Sequence, residues 1–188
     1  MDRASLIAQI HASPTLTVLV VTGGGAQAAA DLLAVPGASR TVLEALVPYS
    51  EPALTEFLGA LPAQAVSVET AAALARRAFQ RALQLRQLLK DKTVPVVGLA
   101  CTATLVTDRP KKGEHRAHLG LCTAERTRVH SLTLRKGARD RPGEERLVSD
   151  LLIHVLAQAC GLRVSLDLAL LPEEKVTIVE VEHPSVPT

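Results

Sequence analysis

Aromatic residues are scarce in this chain of 188 residues, which contains two Phe, one Tyr and no Trp. Proteins that bind single-stranded nucleic acid stack its bases on aromatic side chains, so a nucleic-acid partner is not expected. Long apolar runs are also missing, and the longest, such as Leu16–Val21, fall far short of the roughly 20 residues that span a bilayer. Gln9 and His11 interrupt the N-terminal apolar stretch, which therefore lacks the pattern of a signal peptide. We expect neither a membrane nor nucleic acid as a partner.

Cysteine is rare as well, with three residues at widely separated positions, Cys101, Cys122 and Cys160. An odd number at such spacings predicts no disulfide framework and no paired-cysteine metal motif, and it favours a reducing, cytoplasmic environment. The histidines have no metal-ligand spacing with one another or with the cysteines. The sequence therefore predicts neither a metal site nor a cofactor.

Hydrophobic residues make up 47% of the chain and charged residues 21%, which predicts a packed core of Leu, Val and Ala. The formal net charge of +2 is unevenly distributed. Segment Arg109–Arg141 contains ten Lys or Arg and three Asp or Glu, a local excess of seven positive charges. This asymmetry suggests an anionic partner near the segment, and a merely solvated surface is the alternative.

Strand-like and helix-like segments alternate along most of the chain. The β-branched run Leu16–Val21 is typical of a buried strand, and Ser67 is placed to cap a long helix with one apolar face. This alternation predicts an α/β fold with three layers, α/β/α, around a mixed central sheet. Residues 1–161 are predicted to form this domain, and residues 162–188 a C-terminal β extension packed on it, with strands at Arg163–Leu170 and Lys175–Glu182. The other predicted strands are Val42–Val47, Val94–Ala100, His118–Cys122 and Val129–Leu134, and the predicted helices are Asp2–Ala12, Ala26–Leu33, Pro52–Gly59, Val68–Leu89 and Pro142–Cys160.

A glycine-rich turn, Thr22–Gly25, directly follows the first predicted strand and precedes a helix. Glycine lets the backbone approach a ligand closely, and the first turn of a helix has unpaired N–H groups with partial positive charge. Gly23, Gly24 and Gly25 are therefore candidates for binding a phosphate or a carboxylate at the end of a strand. The turn is neither a Walker A loop nor a GxGxxG motif, and a plain tight turn is an equal alternative.

Other candidate residues follow turns or strand ends. Ser39 offers a hydroxyl after a Pro-Gly turn, and Tyr49 is the single tyrosine, at the end of a predicted strand. Cys101 and His115 have the residue types of a nucleophile–base pair, although buried cysteines are mostly inert. The remaining candidates are hydroxyls and cations suited to holding an anion, namely Thr102, Thr104, Lys111, Lys112 and Arg116.

The order of these motifs resembles the C-terminal domain of the competence/damage-inducible CinA family. The resemblance implies a three-layer α/β fold, a homodimer or larger homo-oligomer, and a reaction that needs no metal. Many members of that family are nicotinamide mononucleotide deamidases, which hydrolyse a pyridine carboxamide and release ammonia. The resemblance covers about Leu16–Gly161 and rests on Thr22-Gly-Gly, Pro36–Ser39, Tyr49-Ser50, the Ala-rich helix after Ser67, and the positions of Gly98 and Gly113.

Two positions depart from the motifs of those deamidases. Their A-E-S-C-T-G-G motif contains the proposed nucleophilic serine, and alignment on Thr22 puts Val20 at that serine. Their Y-S-N-x-x-K motif contains a lysine thought to assist the serine, and Leu54 takes its place here. A valine does not attack a carbonyl and a leucine does not move a proton, so the usual mechanism has no support in this chain.

Three functions compete on these grounds. The favoured one is a CinA-like protein that binds a pyridine nucleotide with weak or lost amidohydrolase activity. In that case the glycine turn and the basic loop after the third predicted strand hold the phosphate from two sides. A structural module that binds an acidic partner through Arg109–Arg141 is another. The remaining one is an active hydrolase with relocated groups, in which Thr22, Ser39, Cys101, Thr102 or Thr104 supplies the nucleophile or positions a water, and Lys111, Lys112 or His115 supplies the acid–base group.

Overall fold

The computed structural model describes residues 1–163 and 167–183. These residues form alternating helices and strands, with one short 3-10 turn at Ala38–Arg40. The helices are α1 (Arg3–Ala12), α2 (Ala26–Ala34), α3 (Glu51–Leu58), α4 (Val68–Arg86) and α5 (Arg141–Ala159). The strands are β1 (Leu16–Thr22), β2 (Val42–Leu46), β3 (Val96–Thr104), β4 (His115–Cys122), β5 (Thr127–Leu134) and β6 (Val176–Val181).

The six strands of the described residues form one mixed sheet in the order β2-β1-β3-β4-β5-β6. β1 pairs in parallel with β2 and with β3, whereas the pairs β3–β4, β4–β5 and β5–β6 are antiparallel. β1 and β3 run in register, with Thr22 opposite Thr102 at their carboxyl ends. The mixed central sheet predicted from the sequence is therefore confirmed.

Helices cover both faces of the sheet. On one face, Leu19 and Val21 of β1 belong to an apolar cluster with residues of α1, α2 and α5. On the other face, Val18 and Val20 pack in a second cluster with residues of α3 and α4. Successive residues of a strand point to opposite faces, so the fully buried β1 lies between two helical layers. The predicted three-layer α/β/α architecture is confirmed.

Helix α4 lies directly against the sheet because two strands have glycine beneath it. A Cβ atom on Gly98 or Gly120 would come within 2.2 and 2.3 Å, respectively, of a backbone carbonyl oxygen of α4. Ser67 caps the helix as predicted, and its hydroxyl accepts a hydrogen bond from the Thr70 N–H at 3.1 Å. The segment before α4 thereby reaches the carboxyl ends of the parallel strands, which places it beside the candidate site.

Strands β3 and β4 are longer than their predicted segments. β3 continues through Thr104, although a basic loop was predicted from Thr102 onward, and β4 begins at His115 rather than His118. The added residues pair with each other, with Thr104 opposite Arg116. Backbone hydrogen bonding across this long hairpin therefore extends both strands beyond their apolar residues.

The chain after α5 adds an edge strand to the sheet. β6 pairs antiparallel with β5, in agreement with the predicted strand Lys175–Glu182. Residues 167–170 form no strand, contrary to the prediction for Arg163–Leu170, whereas residues 164–166 and 184–188 lie outside the described residues. Leu168 and Leu170 are instead partly buried against the core on the α5 face. No helix in the described parts of the chain is long and apolar enough to cross a membrane.

Candidate functional site

Two clefts meet at the carboxyl ends of β1 and β3. The first, here the α2 cleft, has a volume of about 590 Å³ and lies between α2 and the first turns of α5. The second, here the α3 cleft, has a volume of about 510 Å³ and lies between α3 and the segment Leu61–Val66. Thr22, Gly23 and Tyr49 line both clefts. Ligands of α/β proteins bind at this edge of the sheet, so the position fits the prediction from the sequence.

Two threonine side chains lie next to each other on the floor of the α3 cleft. Thr22 and Thr102 are opposite one another in the parallel pair, so both side chains point to the α3–α4 face. The Thr102 hydroxyl donates a hydrogen bond to the Ala65 carbonyl oxygen at 2.6 Å. Thr22 is 7% exposed, and its hydroxyl has no hydrogen-bond partner among the described residues. Thr22 therefore offers a ligand the one hydroxyl of this pair that is not already engaged.

Tyr49 stands at the rim between the two clefts. Its side chain is 66% exposed, unlike the largely buried threonines beneath it. Ser50, the next residue, accepts a hydrogen bond from the Ala53 N–H at 3.3 Å and caps α3. The cap fixes the backbone beside Tyr49, so the ring is held above the shared part of the clefts.

Three N–H groups at the junction of the glycine turn and α2 already have acceptors within the protein. The Glu145 carboxylate accepts hydrogen bonds at 3.0 Å from the backbone N–H groups of Gly25 and Gln27. The Ser149 hydroxyl accepts a third from the Ala28 N–H at 3.1 Å. A carboxylate of α5 thus occupies the amino end of α2, where the sequence predicted a bound phosphate, and it joins two helices.

The glycines themselves are required by close packing. Gly23 has φ +77°, and a Cβ atom there would lie 1.9 Å from the Ala103 carbonyl oxygen. A Cβ atom on Gly24 would lie 2.6 Å from the Leu105 side chain, and one on Gly25 equally close to Leu152. Packing against β3 and α5 explains the three glycines without a ligand.

The cations of the α2 cleft are held by groups of the protein. Arg141 donates to the carbonyl oxygens of Gly23 at 2.9 Å and Val106 at 3.1 Å, and lies 4.0 Å from the Glu145 carboxylate. Arg146 forms an ion pair with Asp31. These arginines therefore have neutralising partners before any ligand arrives.

Two cations near the carboxyl end of β3 have only neutral partners, and neither of them lines a cleft. Lys111 donates to the Thr104 hydroxyl at 2.9 Å and to the Leu105 carbonyl oxygen at 3.3 Å. Arg116 donates to the carbonyl oxygen of Val66, a residue that lines the α3 cleft, at 3.2 Å. Neither forms an ion pair within the described part of the chain. They therefore keep their charge for an anion, whereas Lys112 is simply exposed.

Eight sequence candidates are not lining residues of either cleft: Gly25, Ser39, Cys101, Thr104, Lys111, Lys112, His115 and Arg116. Ser39 is exposed in the 3-10 turn that precedes β2. It therefore lies at the amino ends of the parallel strands, whereas Thr22 lies at their carboxyl ends. His115 is buried on the α5 face, where its Nδ1 lies 2.7 Å from a carboxylate oxygen of Glu144. Cys101 is fully buried on that same face, and burial raises the pKa of its thiol, so it is not a nucleophile.

The hypothesised pairing of Cys101 with His115 is wrong. Cys101 lies opposite Leu119 in β4, and His115 is four residues further along that strand. At about 3.4 Å per residue, the two side chains are roughly 13 Å apart. No proton passes directly between groups at that separation.

Val20 and Leu54 are the residues that the motif resemblance aligns with the serine and the lysine of the CinA deamidases. Val20 is fully buried, and Leu54 is 5% exposed. Both belong to the apolar cluster on the α3–α4 face, and Leu54 also lines the α3 cleft. The structure thus places both side chains in one connected apolar region. Among the described residues, no three His, Cys, Asp or Glu side chains are grouped to hold a metal ion.

Sequence reasoning missed the residues that α5 contributes. Glu144 and Glu145 lie in the first turn of the predicted helix Pro142–Cys160, where acidic residues are common. In the structure Glu145 caps α2, and Glu144 accepts a hydrogen bond from the Val106 N–H at 2.8 Å. Arg141 and Gln27 also line the α2 cleft. An acidic pair in a first helical turn is compatible with a local cap alone, so no pattern in the sequence indicated these long-range contacts.

Fold and clefts together define a three-layer α/β protein with a ligand-sized site at the carboxyl ends of its parallel strands. No protein-family model matches the chain, and no curated protein matches it. Solved structures do. They include a CinA superfamily protein from Enterobacter cloacae, with 17% identity and a TM-score of 0.62 over 86% of this chain and 92% of that chain.

A CinA superfamily protein from Klebsiella pneumoniae 700603 has 13% identity and a TM-score of 0.61, covering 86% of this chain and 99% of that chain. A competence or damage-inducible protein from Enterobacter asburiae has 14% identity and a TM-score of 0.59, covering 85% of this chain and 94% of that chain. The chain therefore has the fold of the CinA superfamily, as the order of its motifs predicted.

Proposed function

We propose that this protein binds a pyridine mononucleotide in the α3 cleft and does not hydrolyse its amide. The observation that carries the proposal is Thr22, a residue 7% exposed at the carboxyl end of β1, whose hydroxyl has no partner among the described residues, together with the contact of Arg116 with Val66 of the same cleft. The CinA-like fold supports a small-molecule site at this edge. Both clefts have volumes within the range of about 300–1,000 Å³ that is usual for small-molecule sites.

In this proposal, Lys111 and Arg116 bind the phosphate. Both side chains bond only carbonyl or hydroxyl oxygens, so a phosphate replaces weaker neutral acceptors instead of competing with a carboxylate. The glycine turn is left out of this phosphate site, because the Glu145 carboxylate accepts the hydrogen bond of the Gly25 N–H and its negative charge repels a phosphate there. Tyr49 at the rim then contacts the base or the ribose.

Hydrolysis has little support in this cleft. Val20 and Leu54 are apolar, the Thr102 hydroxyl is engaged with a carbonyl oxygen, and Thr22 has no base within hydrogen-bond distance among the described residues. Removal of a nucleophile typically costs several orders of magnitude in rate. Hydrolysis of the amide by catalytic groups at other positions, such as Thr22 or Thr102, is therefore the weaker alternative.

Recognition of an acidic partner through Arg109–Arg141 is weaker still. Of the ten cations in this segment, half lie within 4.0 Å of a carboxylate of the same chain. These are Arg109, Arg128, Arg135, Arg139 and Arg141. The segment is divided between a hairpin and a helix, so its cations do not form one continuous surface.

Titration calorimetry with two ligands tests the binding proposal. Nicotinamide mononucleotide should bind, and nicotinamide riboside, which lacks the phosphate, should bind at least tenfold more weakly. Replacing Lys111 and Arg116 together by Gln should weaken the nucleotide about tenfold to a hundredfold and leave the riboside unchanged. Lys92→Gln, an exposed substitution before β3, is the matched control. Equal losses for both ligands would contradict the phosphate assignment.

An assay of ammonia release separates binding from hydrolysis. We expect no turnover of nicotinamide mononucleotide above background by the wild-type protein. Turnover at ordinary enzyme rates, about 1–1,000 per second, would overturn the non-catalytic part of the proposal. Thr22→Val would then show whether the free hydroxyl is the nucleophile.

We also propose that the protein is a cytoplasmic homo-oligomer. The edge strand β6 exposes two large apolar side chains, Ile178 at 57% and Val179 at 43%, and at the opposite edge of the sheet Val47 is 53% exposed. Unpaired apolar strand edges favour self-association. The three cysteines are free thiols, which fits a reducing compartment.

A further inference from the structure

A third cavity, distinct from both clefts, lies at the amino ends of the parallel strands, whereas the clefts lie at their carboxyl ends. It has a volume of about 400 Å³ and is bounded by β4, β5 and the last turn of α5. Its wall includes Thr15 and Pro95, which precede β1 and β3, whereas the clefts begin where those strands end. A strand of seven residues spans about 23 Å, so this cavity is roughly 20 Å from Thr22. We call it the amino-edge cavity.

His130 supplies an unpartnered polar group to the amino-edge cavity. Its side chain is 5% exposed and lines the cavity, yet neither ring nitrogen has a hydrogen-bond partner among the described residues. Neither nitrogen is among the fully buried atoms without a partner in the described part of the chain, so the ring is open to the contents of the cavity. Burial lowers the pKa of His130 to about 4, with smaller effects of His154 and Arg128, so the ring is neutral and has one N–H donor at neutral pH.

His154 provides a second unpartnered donor in the same region. The side-chain amide of Gln158, a residue that lines the cavity, lies 2.9 Å from Nε2 of His154. If the amide donates this hydrogen bond, the proton of the neutral ring is on Nδ1, which is buried and has no partner. Two imidazoles near one cavity, the buried His130 and the partly buried His154, therefore each have a nitrogen without a partner among the described residues.

Charge and apolar surface define what the cavity fits. Arg126 lines it without an ion pair in the described part of the chain, and Arg128 forms one with Glu180 at 3.2 Å. The lining contains one acidic residue, Glu125, and two arginines, Arg126 and Arg128, so it carries more positive than negative charge. Val97, Leu121 and Ile178 make part of the wall apolar.

We propose that the amino-edge cavity is a second ligand site, which binds a small carboxylate with an apolar body. The guanidinium of Arg126 binds the carboxylate with two parallel hydrogen bonds, a geometry that arginine favours. The His130 N–H donates a further hydrogen bond, and the apolar part of the ligand packs on Leu121 and Ile178. The site is independent of the nucleotide proposed for the α3 cleft.

Sodium benzoate and its neutral isostere benzamide are the probes for this site. Benzoate should produce saturable shifts in the ¹H–¹⁵N resonances of the His130 and His154 rings, and benzamide should bind at least tenfold more weakly. Arg126→Gln and His130→Asn should each weaken benzoate about tenfold or more, whereas Lys92→Gln should not. In the His130 variant, the His154 resonances report binding.

Competition distinguishes this site from the first one. Nicotinamide mononucleotide should not displace benzoate, and the Lys111/Arg116 double variant should bind benzoate normally. The absence of saturable shifts, equal affinity for benzamide, or displacement by the nucleotide would each overturn the proposal. Failure of nucleotide binding in the α3 cleft would leave these results unaffected.

Discussion

Substitution of Glu145 is the sharpest test of what stabilises the glycine turn, because this carboxylate accepts hydrogen bonds from two N–H groups at the amino end of α2, those of Gly25 and Gln27. Glu145→Ala leaves Gly25 and Gln27 without their acceptor and removes the link between α2 and α5. Hydrogen bonds to a charged group contribute about 1.5–3 kcal/mol each, and a helix-capping side chain about 0.5–2 kcal/mol. Since the Glu145 side chain is 20% exposed, water compensates part of the loss, and we expect about 2–3 kcal/mol of destabilisation.

Urea unfolding followed by circular dichroism measures this change. For a chain of this size, the expected loss lowers the melting temperature by about 4–12 °C. Glu145→Gln keeps one acceptor oxygen and should cost less, about 1 kcal/mol. Glu56→Ala is the matched control, since Glu56 is exposed on α3 and its carboxylate has no hydrogen bond to the described residues.

Inorganic phosphate provides a second readout. If Glu145 occupies an anion position, phosphate should raise the unfolding midpoint of the Ala variant more than that of the wild type. An Ala variant within about 0.5 kcal/mol of wild type would show that water satisfies the N–H groups equally well. That result would refute the argument that an internal carboxylate holds the turn.

Three further outcomes are expected. Gly23→Ala should destabilise the protein by more than about 2 kcal/mol because of its positive φ and its contact with the Ala103 carbonyl, whereas Gly113→Ala, with open space around it, should be nearly neutral in the same urea experiment. Burial would by itself raise the pKa of Glu174, but hydrogen bonds, chiefly from Arg139, lower it to about 2. This pair should therefore stabilise the fold by about 2–3 kcal/mol above pH 4.5, a contribution lost as the pH falls towards 2 and absent from Glu174→Gln. Sedimentation at micromolar concentration should show a species larger than the 19.9 kDa monomer, and a monomer would contradict the homo-oligomer proposal.

The order and type of the central elements could be predicted because each has a strong local signal. The segment that forms β1 consists mostly of β-branched residues, and all seven residues of the strand are buried. Ser67 was predicted to cap α4, and its hydroxyl accepts from the Thr70 N–H. Signals of this kind depend on residues a few positions apart, so they can be read without knowledge of the tertiary structure.

The ends of the β3–β4 hairpin could not be predicted, because they depend on long-range pairing. Thr102, Thr104 and His115 are polar residues near prolines, lysines and a glycine, which is typical of a loop. In the folded chain Thr102 and Thr104 pair with β4 and His115 pairs with Leu134 of β5. The Thr102 hydroxyl also bonds to the Ala65 carbonyl oxygen. Each strand is lengthened by hydrogen bonds to its partner strand, and a local sequence pattern contains no information about that partner.

The glycine turn illustrates why the site was only partly predictable. Three consecutive glycines fit a phosphate loop and a tightly packed turn equally well, since both require the absence of Cβ atoms. Which of these two structures the glycines form depends on Ala103 and Leu152, which the fold brings next to the turn. It also depends on Glu145, which is 120 residues away from Gly25. The position at the carboxyl end of β1 was predicted, but the group that occupies the helix terminus was not.

The proposed absence of catalysis agrees with the apolar residues at both position 20 and position 54. Val20 and Leu54 belong to one apolar cluster, so a serine or a lysine alone at either position would be a buried polar group without its partner. Replacing both by apolar residues removes that cost and leaves the surrounding fold intact. The hydroxyl of Thr22 and the cations Lys111 and Arg116 lie outside this cluster. Groups that would bind a nucleotide can therefore persist where the groups that would cleave it are absent.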